Sequence, residues 1–294
     1  MAHSKLLGAQ LRSYLYLVPA GFLVFGIALY GIVANFVIST TDWNGVSADF
    51  EQVGLENYQR LASDPVFWQA LGNTLIFGVM AVGIQMILGF GLAVLVRTRT
   101  AGTALLRTVL FIPVVLSGAV VATSFRELLT PDGSFNQMFR LLGWENASQP
   151  WLADPGSALF VIAAINIWQY SGYSFVIYDA ALGQIDQSII EAARVDGAST
   201  LSLLALIIAP LLRGSHLILI VLGFIGSLNT FELIFLTTRG GPGTTTEFLS
   251  TYVFRMAITQ FDAAYSATLS IALVVVALIF ATMQVRLTRA EQDR

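Results

Sequence analysis

The sequence predicts an all-α polytopic membrane protein with six transmembrane helices. Two observations carry that prediction. Of its 294 residues, 56% are hydrophobic and only 11% are charged, whereas a soluble domain needs about 25% charged residues to cover its surface. The apolar residues also fall in long runs, each reaching the roughly 20 residues that a helix needs to cross a bilayer. Segments carrying Pro, Gly, Asp and Asn separate most of the runs.

The runs lie at about 14–38, 71–96, 104–125, 157–182, 215–238 and 265–285. They set a transmembrane domain of 14–286 between an N-terminal segment of 1–13 and a tail of 287–294. The first run follows Lys5 and Arg12, as the core of a signal peptide would. It is long and lacks a clear small-residue cleavage site, so it reads as a retained anchor. Basic residues set the orientation. With the N-terminus in the cytoplasm, the inside holds Lys5, Arg12, Arg97, Arg99, Arg107, Arg194, Arg213, Arg286, Arg289 and Arg294. The outside then holds Arg60, Arg126, Arg140, Arg239 and Arg255. The opposite orientation inverts this bias, so both termini and the segment 183–213 are expected to be cytoplasmic.

Composition excludes several classes of function. A net charge of -3 gives no reason to expect a nucleic-acid partner. The absence of cysteine removes disulfides and thiolate chemistry. His3 and His216 are the only histidines, too few for a histidine-rich metal site. No Gly-x-x-x-x-Gly-Lys-Ser/Thr loop and no catalytic triad pattern occurs. The chain reads as a conduit rather than a catalyst, with no cofactor of its own.

Polar residues inside spans are costly and mark cavities or pathways. In the fourth span Asn166, Gln169, Tyr170 and Tyr173 recur at spacings of three, four and seven, which puts them on one helix face. The fifth span adds Ser227, Asn229, Thr230 and Glu232. Amides and hydroxyls exchange hydrogen bonds, and aromatic rings cover C–H faces, so the mixture suits a sugar or polyol. Hydrogen bonding between helices is the plain structural use of the same residues. Asp179 lies near the cytoplasmic end of its span, where it is expected to reach water. Glu232 sits deeper and could meet solute hydroxyls, an amino group or a partner's basic residue. In the outer segments 39–69, 127–156 and 239–264, Trp144 and Trp151 flank a loop and are candidates for interfacial anchoring or for contact with a partner.

The cytoplasmic segment has its own local logic. Residues 187–195 favour a helix, and Asp196-Gly197 supplies a left-handed turn at no steric cost. Ser199 or Thr200 can cap a second short helix, and Pro210 begins the approach to the next span. Glu191, Ala192 and Ala193, then Asp196, Gly197 and Ala198, then Ile207 and Pro210, resemble the EAA loop of binding-protein-dependent ABC importer permeases. Further stretches resemble the carbohydrate type of that family. They are Leu15 to Ala20, Gly54 to Tyr58, Asp64 to Thr74, and the glycine-rich turn Leu236 to Pro242. The set is similar to the first of the two paired permeases in the maltose/lactose/glycerol-phosphate group.

The resemblance implies a type I importer permease fold, in which the EAA loop forms a coupling helix docked on a cytoplasmic ATPase. It implies a related second permease chain, two ATPase subunits that bind ATP and magnesium, an extracytoplasmic solute-binding protein, and the cytoplasmic membrane of a bacterium or archaeon. It carries sugar contacts to Asn166 and Tyr173, and then to Ser227 and Thr230, where the maltose subunit has asparagines. Three departures stand out. Leu201 to Ala209 is almost wholly apolar where the family often has aromatic and basic residues, Gly214 replaces a common second proline, and Val114 replaces a tyrosine of the maltose site. Glycerol phosphate is less favoured because the one arginine inside a span, Arg107, stands at the end of its run and not at its middle. The other functional classes are an ion-coupled secondary transporter using Glu232, which should show inverted repeats, and a polytopic membrane enzyme.

Overall fold

The computed structural model describes residues 16–97, 103–144 and 147–292. The N-terminal segment 1–13, with His3, lies outside the described residues. Four unbroken helices are long and apolar enough to span a bilayer: α1 (Val18–Ser39), α3 (Pro65–Arg97), α7 (Ala158–Leu182) and Ala263–Met283, the apolar part of α13 (Ala263–Gln292). Two bent pairs bring the possible count to six. Among the described residues the only β-pairing is a single bridge between Thr41 and Gln52.

The first bent pair departs from the continuous helix expected at 104–125, and the helix expected at 215–238 is interrupted at Asn229–Phe231, beyond the second pair. The first is α4 (Thr103–Val115) and α5 (Gly118–Leu128), which meet at 91°. Pro113 brings no N–H to the helix, and the helical ladder stops two residues beyond it. The second is α9 (Thr200–Leu211) and α10 (Arg213–Leu228), which meet at 70°. Beyond α10 the backbone opens at Asn229–Phe231 before a short α11 (Glu232–Thr237). Here Asn229 Nδ2 and Thr230 Oγ1 bond back to the carbonyls of Ile225 and Gly226, each at 2.9 Å. Side chains that compete for backbone partners in this way loosen helices.

The chain divides into two compact units, one running to Asp64 with Val253–Val274, the other comprising Pro65–Tyr252 and the chain from Val275. In the first, Asn57 Nδ2 donates to the carbonyls of Ser39 and Thr41 at 3.0 and 2.7 Å, satisfying groups that the end of α1 leaves open. Asn57 belongs to α2 (Glu56–Ser63), entered through Gly54 at φ +64°. Arg60 lies 3.8 Å over the Tyr265 ring and pairs with Asp262 at 2.7 Å, while the Tyr265 hydroxyl donates to Asp64 at 2.5 Å.

In the second unit, two motif stretches that are far apart in sequence meet. Asn73 Nδ2 donates to the carbonyls of Thr245 and Glu247 at 2.9 and 3.0 Å, and Thr74 Oγ1 accepts from Leu249 N at 3.3 Å. The second span thereby holds the glycine-rich turn after α11. In the outer loop a fully buried Asn136, on α6 (Ser134–Leu141), bonds to Thr130, to Gln149 and, at 2.8 Å, to the indole N–H of Trp151. Trp151 therefore has a folding role within the loop, whereas Trp144 stands exposed.

Lipid supplies little hydrophobic drive between helices, so close packing through small residues carries their association. Gly172 of α7 lies against the Leu110 carbonyl of α4, where any Cβ would overlap that oxygen. Gly83 in α3 has open space at the same position. Gly172→Ala should therefore destabilise the detergent-solubilised protein by about 1–3 kcal/mol, the cost of overpacking. Gly83→Ala should be neutral, or stabilising by up to about 1 kcal/mol through helix propensity. Thermal unfolding of both variants beside the wild type checks the contrast.

Candidate functional site: a polar cavity and a buried apolar cluster

A cavity of about 730 Å³ opens within the second unit, lined from α3, α7, α10, α11 and the bends that follow α4 and α10. All eight span residues singled out from the sequence line it: Asn166, Gln169, Tyr170, Tyr173, Ser227, Asn229, Thr230 and Glu232. The broken helices make the opening, because each break turns polar backbone and side chains inward where a straight helix would present a smooth side. Val114, which stands where a tyrosine was expected from the maltose pattern, also lines it.

The lining is partly cross-braced. Gln85 Nε2 donates to the Asn166 side-chain and backbone oxygens at 2.9 and 3.2 Å, joining α3 to α7. Gln169 Nε2 donates at 3.1 Å to the Leu116 carbonyl, which the α4–α5 bend leaves open. Tyr170 and Tyr173 each remain 38% exposed, with hydroxyls that have no hydrogen-bond partner among the described residues. Gln85 is the pathway residue that sequence reading missed. A lone glutamine in an otherwise apolar span was the available signal.

The segment 187–211 folds as two helices joined by a tight turn. Helix α8 (Gln187–Val195) is capped by Asp186, whose carboxylate accepts from Ser188 N at 2.9 Å. Gly197 takes φ +82° and turns the chain. Ser199 then caps α9 by accepting from Ser202 N at 3.2 Å. Of the motif residues, Ala193 is buried, Ala198 and Ile207 are half-buried, and Glu191, Ala192, Asp196, Gly197 and Pro210 are exposed. Val195 and Leu201 project outward at 87% and 76% exposure.

The inner face of this segment belongs to one apolar cluster with the span ends. Ala193, Leu203 and Ile208 pack with Phe175, Tyr178 and Leu182 of α7 and with Ala93 and Val96 of α3. Each of Leu203 and Ile208 contributes roughly 1.5–3 kcal/mol by burial. Polar contacts at the same end add to this. Asp179 is 14% exposed and does not simply reach water. It pairs with Arg107 at 3.0 Å and Arg97 at 3.5 Å, bridging three helix ends. Both arginines are largely solvated, so each pair is worth only about 0.2–1 kcal/mol, less than either buried aliphatic side chain. His216 Nε2 lies 3.0 Å from the Ala209 carbonyl and Nδ1 lies 2.6 Å from the Tyr178 hydroxyl. With Nε2–H donating, Nδ1 accepts from the tyrosine, and the ring, carried by α10, ties α9 to α7.

A family model described as binding-protein-dependent transport system inner membrane component matches residues 65–291. A probable ABC transporter permease protein of Pyrococcus horikoshii is 35% identical over 266 residues, covering 90% of this chain and 91% of that protein. The lactose transport system permease protein LacF of Rhizobium radiobacter is 32% identical over 279 residues, covering 94% and 93%. The fold is also that of a solved chain from a bacterial ABC transporter involved in the import of the acidic polysaccharide alginate. The TM-score is 0.83, with 21% identity and 99% of each chain covered.

Asp186 gives a pH prediction. Its hydrogen bond from the Ser188 backbone holds its carboxyl below the ordinary carboxylate range. A depressed pKa in the folded state means that the cap is complete above the unfolded value of about 3.9. It is lost as pH falls through the lower folded value. Amide exchange at residues 188–190, corrected for intrinsic rates, should stay unchanged from pH 7 to about pH 4 and accelerate only as the pH is taken below the unfolded value of about 3.9. Asp186→Ala should show the faster exchange already at pH 7 and no further step on acidification.

Proposed function

The chain belongs to the family of binding-protein-dependent transport system inner membrane components, and from that premise we propose that it forms one half of the pathway by which an ABC importer takes up a sugar or related polyol. As a permease protein of an ABC transporter it is not itself the enzyme. ATP and magnesium are assigned to two cytoplasmic ATPase subunits, and the other half of the pathway to a second, related permease. An extracytoplasmic binding protein delivers the solute. The membrane is the cytoplasmic one, with both termini inside.

One observation carries the solute class. The cavity falls within the ~300–1,000 Å³ typical of small-molecule sites, and its wall alternates amides and hydroxyls with Phe77, Tyr170, Tyr173 and Phe231. That pattern meets the hydroxyl rim and the C–H faces of a sugar. The lactose permease among the relatives supports the same class.

Coupling is assigned to Glu191, Ala192, Ala193, Asp196, Gly197, Ala198, Ile207 and Pro210. The exposed apolar residues Val195 and Leu201 suit insertion into a cleft of the ATPase. Closure of the ATPase dimer on ATP moves α8 and α9. The buried cluster beneath them transmits that displacement to the inner ends of α7 and α3, whose middle turns line the cavity. Hydrolysis lets the segment return, and access to the cavity alternates between the two faces.

Gly197→Val forces a β-branched residue into a left-handed backbone at a cost of about 1–2 kcal/mol. In proteoliposomes holding the complete importer, this variant should assemble and hydrolyse ATP, yet lose uptake of the solute carried by its binding protein. Tyr173→Ala should cut uptake while leaving assembly with the ATPase intact. Uptake that continues without ATP and follows an ion gradient would overturn the reading.

A further inference from the structure

The cavity contains a single formal charge. Glu232 is exposed to it, and no arginine, lysine or histidine lines it. Among the described residues the Glu232 carboxylate has no ion-pair or hydrogen-bond partner. Space for it is made by Gly118, since a Cβ there would lie 2.8 Å from Glu232 Oε2.

The uncharged part of the wall offers both acceptors and donors, and some of the donors are already engaged. The Ser227 hydroxyl donates to the Phe224 carbonyl at 2.7 Å, and the Thr230 hydroxyl donates to Gly226. Gln85, Gln169 and Asn229 each commit an amide N–H to a protein oxygen. Part of the donor capacity is thus spent within the protein, while the oxygens of the same groups keep lone pairs to offer. The donors left with no partner among the described residues are the hydroxyls of Tyr170, Tyr173 and Ser174, the amide of Asn166 and a second N–H on each of Gln169 and Asn229. The uncompensated carboxylate, which only accepts, is satisfied by a solute that brings donors. It repels one that brings negative charge.

We propose that Glu232 is the charge-selecting residue of this cavity, and that the transported solute is a donor-rich glycoside without negative charge, neutral or amino-bearing. The inference rests on the cavity being the solute's passage. It separates this chain from the alginate importer, with which the fold is shared and whose polysaccharide is acidic. A hydroxyl pair or an ammonium group on the solute would meet the two carboxylate oxygens. A uronic acid or sulfonated sugar would place like charges together with no cation in this wall to separate them.

The test uses the complete importer in nanodiscs without nucleotide or binding protein, with saturation-transfer NMR as the readout. The probes are maltose (neutral), diglucosamine (cationic) and digalacturonate (anionic). In the wild type, maltose and diglucosamine should bind and digalacturonate should not. Glu232→Gln should weaken diglucosamine about tenfold, the worth of one charge-assisted hydrogen bond. It should also admit digalacturonate and leave maltose nearly unchanged. Gly118→Ala pushes the carboxylate aside but keeps its charge. It should weaken diglucosamine while still excluding digalacturonate, and it stands as the second variant if Glu232→Gln does not assemble. Digalacturonate binding to the wild type as tightly as maltose would overturn the proposal and leave the sugar reading standing. So would a Glu232→Gln importer with wild-type preferences, or one that falls apart because the carboxylate pairs with the second permease. Failure of all three probes to bind the wild type would instead overturn the sugar reading itself.

Discussion

The constraint on which the rest depends is that the segment 187–211 has no core of its own. Helices α8 and α9 are short, and α8 falls below the length at which a helix is stable in water by itself. They persist because Ala193, Leu203 and Ile208 are buried against Phe175, Tyr178 and Leu182. Those three residues sit at the inner end of the helix that carries Asn166, Gln169, Tyr170 and Tyr173 at its middle. Packed interiors are stiff. On the proposed mechanism a push on the exposed side of α8 is therefore delivered to α7, and with it to one wall of the cavity. His216 of α10, bonded to the Ala209 carbonyl of α9 and to the Tyr178 hydroxyl of α7, ties the segment to the same span a second time.

The cavity depends on a different kind of constraint. A membrane helix satisfies its own backbone, so an opening between helices needs places where that ladder is interrupted and repaired. The structure interrupts it twice, after Pro113 and at Asn229–Phe231. The repairs are side chains: Gln169 takes the Leu116 carbonyl, and Asn229 and Thr230 bond to Ile225 and Gly226. The residues that brace the breaks are therefore also residues that face a solute. The polar reading and the structural reading of these positions do not compete, because one side chain can use one atom inward and another toward the cavity.

Much of this was legible in the sequence, for particular physical reasons. The spans at 157–182 and 265–285 are long apolar runs that mark helices of nearly those bounds. The turn at Gly197 and the cap at Ser199 follow from backbone rules that act over a few residues. The common face of Asn166, Gln169, Tyr170 and Tyr173 follows from helical periodicity alone. What escaped was whatever depends on which elements meet. Gln85 is isolated in its own helix, and its importance appears only when α3 lies beside α7. Asp179 seems free to reach water until Arg97 and Arg107 arrive from two other helix ends. The break within 104–125 lies in a stretch whose apolar composition does not change across it, and the polar residues at the break within 215–238 read equally well as the lining of an unbroken helix. Trp151 reads as an interfacial anchor until its indole is found bonded to a buried asparagine.

The central claim is that α8 and the inner half of α7 move as one body when nucleotide binds. Spin labels at two exposed positions, Ile189 on α8 and Val176 on α7, report on it directly in the complete importer. Double electron–electron resonance should give the same distance distribution in the nucleotide-free and ATP-bound states of a preparation that is hydrolysing ATP and transporting. A distribution that shifts or splits on ATP binding would show the segment sliding over the span ends, and would contradict the account.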